Sequence, residues 1–191
     1  MKKIAPLRSP LALAVLALSL VAGRAQAGSP TPQSAWNKKF ELVVDVEINQ
    51  IDEPRYRRPF VAVWIEDAQG NTIRTLSVWT QMTQRGPRWI PNLKRWYRNA
   101  TKAKPATPEE LSKSYSSATR PAGKYSLVWD GLDDKGRPVK DGDYTVCIEA
   151  AREHGTYGLI RKSYKLGSAA FWDRLSGNTE IKGARVELRK K

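Results

Sequence analysis

Apolar residues in this chain return at every second position, in short runs cut off by Gly, Pro and Asp. Residues 40–48 set Leu42, Val44, Val46 and Ile48 against Val43, Asp45 and Glu47. A period of two places the first set on one face of an extended chain, so the run predicts a strand with one face covered. Residues 59–66 repeat the pattern, with Val61, Val63 and Ile65 on one face and Ala62 and Trp64 on the other. Asp67, Gln69, Gly70 and Asn71 then turn the chain into residues 72–79, a hairpin signature. Further strands are expected at 124–129, 144–150, 159–166 and 182–188, with Gly, Pro and Asp turns at 130–138 and 141–142. Seven or eight strands with little helix predict an all-β fold, an immunoglobulin-like antiparallel β-sandwich with one short helix in a long connection.

That helix is expected at Pro108 to about Tyr115. Thr107 can cap the free amide of Glu110, the Glu110 side chain can reach back, and Pro108 suits the first helical position. Residues 85–98 interleave Arg and Lys with Trp89, Trp96 and Tyr97 and are broken by Pro87 and Pro91, so they are expected to leave the sheets, with a possible helical turn. Their bases either face an acidic partner or lipid head groups, or lay their stems over the Trp edges.

The first 27 residues have the order of a cleavable secretory signal: Lys2, Lys3 and Arg8, an apolar stretch at 11–23, and Ala25-Gln26-Ala27. The stretch is short for a bilayer span. The expected organisation is a signal at 1–27, a flexible lead at 28–39 and one sandwich domain at 40–191, exported to the periplasm. Losing the four bases of the signal lowers the net charge from +14 to +10. Such a basic surface favours acidic partners; export argues against nucleic acid and for an anionic lipid surface, an acidic protein or a phosphate-bearing cofactor.

Cys147 is the single thiol, which excludes an intrachain disulfide, and its strand-like surroundings predict a small buried apolar residue. His154 is the single histidine, so no zinc site of two or more His is available. It is expected in a turn, because Gly155 follows it, with a proton donor beside a flavin or one metal contact as the functional alternatives. No Ser/His/Asp set and no phosphate-cradling Gly-rich loop stands out, so no catalytic residues are assigned.

Val128-Trp129-Asp130-Gly131 followed by Asp141-Gly142-Asp143-Tyr144 resembles the Ig-like hairpin of the flagellar hook-capping protein, a likeness of fold. Ser116-Ser117-Ala118-Thr119 resembles the acceptor sequence of a periplasmic flavin transferase, which moves FMN from FAD onto a threonine hydroxyl. Acceptor sequences of that kind carry Asp six positions before the Thr, where this chain has Lys113. Together with residues 120–123 and 149–157, these motifs resemble a bacterial family of predicted periplasmic proteins, the domain of unknown function 2271. The resemblance implies a periplasmic flavoprotein with FMN on Thr119, an electron carrier rather than a catalyst of substrate turnover, served by a flavin transferase and a membrane reductase of the PepSY type. A reachable hydroxyl on a turn is the physical requirement, and Ser116, Ser117, Ala118, Tyr115, Arg120 and His154 are the companions expected around it. Trp129, Trp89, Trp96 and Tyr97 are further aromatic faces for the ring, and Arg152 a further cation. The alternative is a cofactor-free binding or scaffold module for an acidic partner, a metal or a membrane surface.

Overall fold

The computed structural model describes residues 35–167 and 169–191. The signal expected at 1–27 and the lead up to residue 34 lie outside them. Among the described residues nine strands form two sheets: β1 (Phe40–Ile48), β2 (Phe60–Glu66), β3 (Thr72–Thr80), β4 (Ser116–Ala118), β5 (Gly123–Trp129), β6 (Gly142–Ala151), β7 (Tyr157–Leu166), β8 (Phe171–Ser176) and β9 (Ile181–Lys190). The first sheet runs β5-β1-β9-β8 and the second β4-β3-β2-β6-β7. All pairs are antiparallel except β3 with β4, which is parallel.

The two sheets face each other across the alternating residues expected to be covered. Leu42, Val44, Val46 and Ile48 of β1 meet Val61, Val63 and Ile65 of β2, Val146 and Ile148 of β6, and Val186 and Leu188 of β9. Trp36 and Trp129 close one end with ring centroids 5.1 Å apart. Gly131 makes that closure possible: its φ is +79°, and a Cβ there would lie 2.3 Å from a ring carbon of Trp36. The packed body therefore starts ahead of residue 40, because Trp36 is buried and its amide donates to the Val139 carbonyl at 2.8 Å.

The connection from β3 to β4 departs from the expectation of a single helix. It holds a 3₁₀ helix (Pro87–Asn92), α1 (Lys94–Ala103) and α2 (Pro108–Tyr115). Its outcome is a third layer on the outer face of the second sheet. Ile90, Leu93, Trp96 and Leu111 bury against Phe60, Ala62, Trp64, Val78, Cys147 and Ala151. β2 is consequently covered on both faces along its whole length. α2 starts as expected, with Glu110 N–H donating to Thr107 Oγ1 at 3.2 Å and Thr107 N–H donating to Glu110 Oε2 at 2.7 Å.

α1 has no side-chain cap of its own, since Leu93 stands at its N-cap. The fully buried Glu149 of β6 takes that part: its two oxygens accept the Arg95 and Trp96 amides at 2.8 and 2.9 Å. Glu66 anchors the other end of the interface. It accepts from Trp64 Nε1 (3.0 Å), Arg95 Nε and Nη2 (2.8 and 2.7 Å), Asn99 Nδ2 (3.0 Å) and Arg161 Nη2 (2.9 Å). A carboxylate so buried is tolerable only with every lone pair engaged in this way.

Candidate functional site

β4 forms where the chain leaves α2, because Ser116 extends beyond the helix and lies alongside Val78 of β3. Thr119 continues the ladder by donating its amide to the Thr80 carbonyl at 3.0 Å. Ser116 to Ala118 is thus a short edge strand with Thr119 bonded at its end, in place of the free turn expected for the four residues. Ser117 and Ala118 are exposed, and Ser116 and Thr119 are half-buried.

Thr119 lines a cleft of about 260 Å³ with Tyr56, Arg57, Arg58, Phe60, Gln81 and Glu153. The segment before β2 is held there by two arginine contacts. Arg152, itself buried, donates to Glu53 at 2.5 and 3.2 Å and to the buried Glu180 at 2.8 Å. Arg57 reaches Glu153 at 2.7 Å. The hydrogen bond from Arg152 holds the Glu53 carboxyl below its usual range, against the small opposing effect of desolvation.

Arg57, Gln81 and Glu153 also wall a second cleft of about 550 Å³, completed by Thr83, Gln84, Arg85, Arg88 and Trp89. Trp89 is half-buried against the helical layer. The Arg88 guanidinium stands 4.8 Å above its ring, and the His154 imidazole meets it edge-on at 5.0 Å. His154 occupies the β6–β7 turn with φ +55°, a left-handed conformation that the turn imposes. It adjoins the same groove through Arg57 and Glu153.

The other expected companions lie elsewhere. Tyr115 packs edge-on against Trp96 at 5.8 Å and faces a separate cleft lined by Lys104, Glu110 and Ser114. Arg120 stacks over Trp79 and Tyr125, 5.0 Å from each ring, at the sandwich edge. Trp96 and Trp129 are fully buried and so offer no face to a ligand. Of the bases in the 85–98 stretch, Arg95 is committed to Glu66, Lys94 lies over Tyr157 at 4.8 Å and Arg88 over Trp89. The expectation of basic stems over aromatic edges is met at Arg88 and Lys94, and Arg85 and Arg88 also line the second cleft.

The residues not singled out from the sequence are Tyr56, Arg57, Arg58, Gln81 and Glu153. Arg55-Tyr56-Arg57-Arg58 is itself a basic run interrupted by an aromatic, a visible signal, but only the fold carries it beside Thr119. Among the described residues Arg55, Arg58 and Arg85 have no carboxylate partner. Cys147 is buried in the helical interface as expected; burial and the Glu66 charge push its thiol up to about 12 against the pull of Arg161 and Arg95. No group of three or more His, Cys, Asp or Glu side chains among the described residues has the geometry to hold a metal.

Fold and groove define a β-sandwich with a helical outer layer and, at one sheet edge, a cleft lined by several arginines and Glu153. Residues 41–183 match the family described as "Predicted periplasmic protein (DUF2271)", and the chain belongs to that family. Its location is accordingly the periplasm, and among the described residues no helix is long and apolar enough to cross a membrane. Neither a curated protein nor a solved structure matches the chain.

Proposed function

We propose that the protein is a periplasmic electron carrier with FMN esterified to Thr119. The single observation that carries this reading is the position of Thr119, half-exposed at the end of an edge strand and lining a cleft with Arg57, Arg58 and Tyr56. A phosphodiester needs positive charge and hydrogen-bond donors around it; Arg58, which has no carboxylate partner among the described residues, and the Gln81 amide supply them, while Arg57 is shared with Glu153, whose carboxylate also lines the cleft. The residues fit the group. In the attachment step Thr119 Oγ1 bonds to the FMN phosphorus of FAD, the pyrophosphate bond breaks, AMP leaves and the hydroxyl proton is released. Attached FMN supplies the electron chemistry, taking electrons from a PepSY-type membrane reductase for an acceptor in the envelope. The chain's own residues bind the phosphate, limit the reach of the tether and set the charge around it.

Lys113 lies exposed in the last turn of α2, where a cation is favourable at the carbonyl end of a helix. It replaces the carboxylate that acceptor sequences carry, and so lowers the efficiency of attachment while leaving the hydroxyl intact. Co-production with a periplasmic flavin transferase should give protein whose intact mass includes FMN and whose band fluoresces in the gel. Thr119→Val should remove both signals with unchanged circular dichroism. An unmodified wild type under those conditions ends this reading.

The unpartnered Arg55, Arg58 and Arg85 favour a second reading, a cofactor-free module whose groove takes an acidic partner. It predicts a colourless protein whose role in the cell survives Thr119→Val and is lost when Arg58, Arg85 and Arg88 are replaced by Gln.

A further inference from the structure

We infer that the ring of the tethered flavin seats against Trp89, between the Arg88 guanidinium and the His154 imidazole; this rests on the attachment at Thr119. Any tethered ring needs an aromatic face that is open, near the tether and of suitable charge. Burial removes Trp96 and Trp129. Trp79 is fully buried as well, Tyr115 faces a different cleft, and Tyr125 lines neither the cleft of Thr119 nor the one joined to it. Trp172 is exposed, but it lies on β8 of the first sheet, whereas Thr119 extends the second. Trp89 alone among these lines the joined groove, with one exposed side chain, Arg88, over its ring.

Continuity of the groove supplies the path. The cleft holding Thr119 and the cleft holding Trp89 share Arg57, Gln81 and Glu153 as walls, so a chain leaving Thr119 passes from one to the other along protein surface. Trp89 presents its ring there because its other side packs on the helical layer. In the structure Arg88 covers that face at 4.8 Å. Arg88 is an exposed side chain whose nearest carboxylate, on Glu153, is 3.9 Å away, so its displacement breaks no close ion pair. Once moved aside it remains in the groove and supplies positive charge at the ring edge, which stabilises added negative charge. His154, fixed by its left-handed turn, borders the seat with a ring that can donate a proton or a hydrogen bond.

A short tether raises the local concentration of the ring to about millimolar, and burial of the ring's apolar face, its stacking on the indole and the charge of Arg88 together favour the seat over free solution. The test uses full-length protein loaded by co-production with the transferase and checked by intact mass. Flavin emission and its anisotropy decay are compared in wild type, Trp89→Leu, Arg88→Gln and Trp172→Leu. Wild type should be quenched and slow to depolarise. Trp89→Leu should be brighter than wild type and gain a fast depolarising component, because the quenching indole and the seat are both gone. Arg88→Gln keeps the indole, and therefore the quenching, while lowering the flavin potential; it serves if Trp89→Leu fails to fold. Trp172→Leu should match wild type. Loaded protein in which Trp89→Leu leaves brightness and anisotropy unchanged, or whose wild type is as bright as free FMN, overturns the seat and leaves the attachment standing. A wild type without the mass of FMN overturns both.

Discussion

Replacing Glu149 by Gln tests whether the helical layer is fastened to the second sheet through one side chain. Glu149 is fully buried, and its two oxygens accept the amides of Arg95 and Trp96 at 2.8 and 2.9 Å, the only side-chain cap at the start of α1. Gln fills the same volume but offers one acceptor oxygen. The second amide then faces an NH₂ group at a fully buried position. Losing a charge-assisted bond costs about 1.5–3 kcal/mol, and a stranded buried donor adds about 1 kcal/mol or more. The dipole term at a helix N-terminus contributes a further ~0.5 kcal/mol. A loss of about 3–4.5 kcal/mol is therefore expected, against a total stability of about 5–15 kcal/mol for a domain. At roughly 2–4 °C per kcal/mol for a chain of this size, Tm should fall by about 6–18 °C. Thermal unfolding followed by circular dichroism and tryptophan emission reads this directly. Hydrogen exchange should show amides of Lys94–Ala103 opening sooner than those of β1, since the damage is local to α1. A Tm within about 2 °C of wild type would refute the capping argument, because no relaxation of a close-packed interface replaces a buried acceptor at no cost.

Three further outcomes follow from the same structure. Burial pushes the Glu66 carboxyl up, but the bonds from Arg95, Trp64 and Arg161 outweigh it and hold it below its ordinary 4.5. Its stabilising contribution is thus complete above about pH 4.5 and disappears as pH falls through the lowered folded value, so urea unfolding between about pH 3 and 7 should show Glu66→Gln with a flatter acid limb than wild type. Cys147, buried and with its thiol raised to about 12, should resist alkylation at about pH 8 in the native protein and react in urea; prompt native labelling would contradict its placement. Lys113→Asp should raise the flavin-loaded fraction seen by intact mass, since it restores the carboxylate of acceptor sequences on an exposed helical position; an unchanged fraction would show that this position has no part in docking.

Seven strands were legible within a residue or two because alternation is a local property: one covered face stamps a period of two on the chain whatever lies opposite. The capping box at Thr107 and Glu110 was legible for the same reason, its donors and acceptors lying three residues apart. β8 and β4 were missed. Phe171–Ser176 alternates covered with exposed positions, but Trp172 is on the exposed set and Asp173 on the covered one, so its residue types carry no period of two; Ser116–Ala118 is three small residues that become a strand only because β3 offers an edge. α1 was missed because Leu93 is no cap, and the group that caps it comes from Glu149 on a distant strand.

The candidate site divides along the same line. The chain alone determined the small-residue stretch ending in Thr119, a basic excess, a solitary thiol without a partner and a solitary histidine before Gly155, since composition and short spacings are written in order along it. Tertiary structure decided which arginines stand beside Thr119, that Arg95 and Arg152 are spent on buried carboxylates, and that Trp89 keeps an accessible face while Trp96 does not. Those outcomes depend on residues dozens of positions apart meeting across a layered core, and no local pattern carries the free energy of a contact that exists only once the layers have packed.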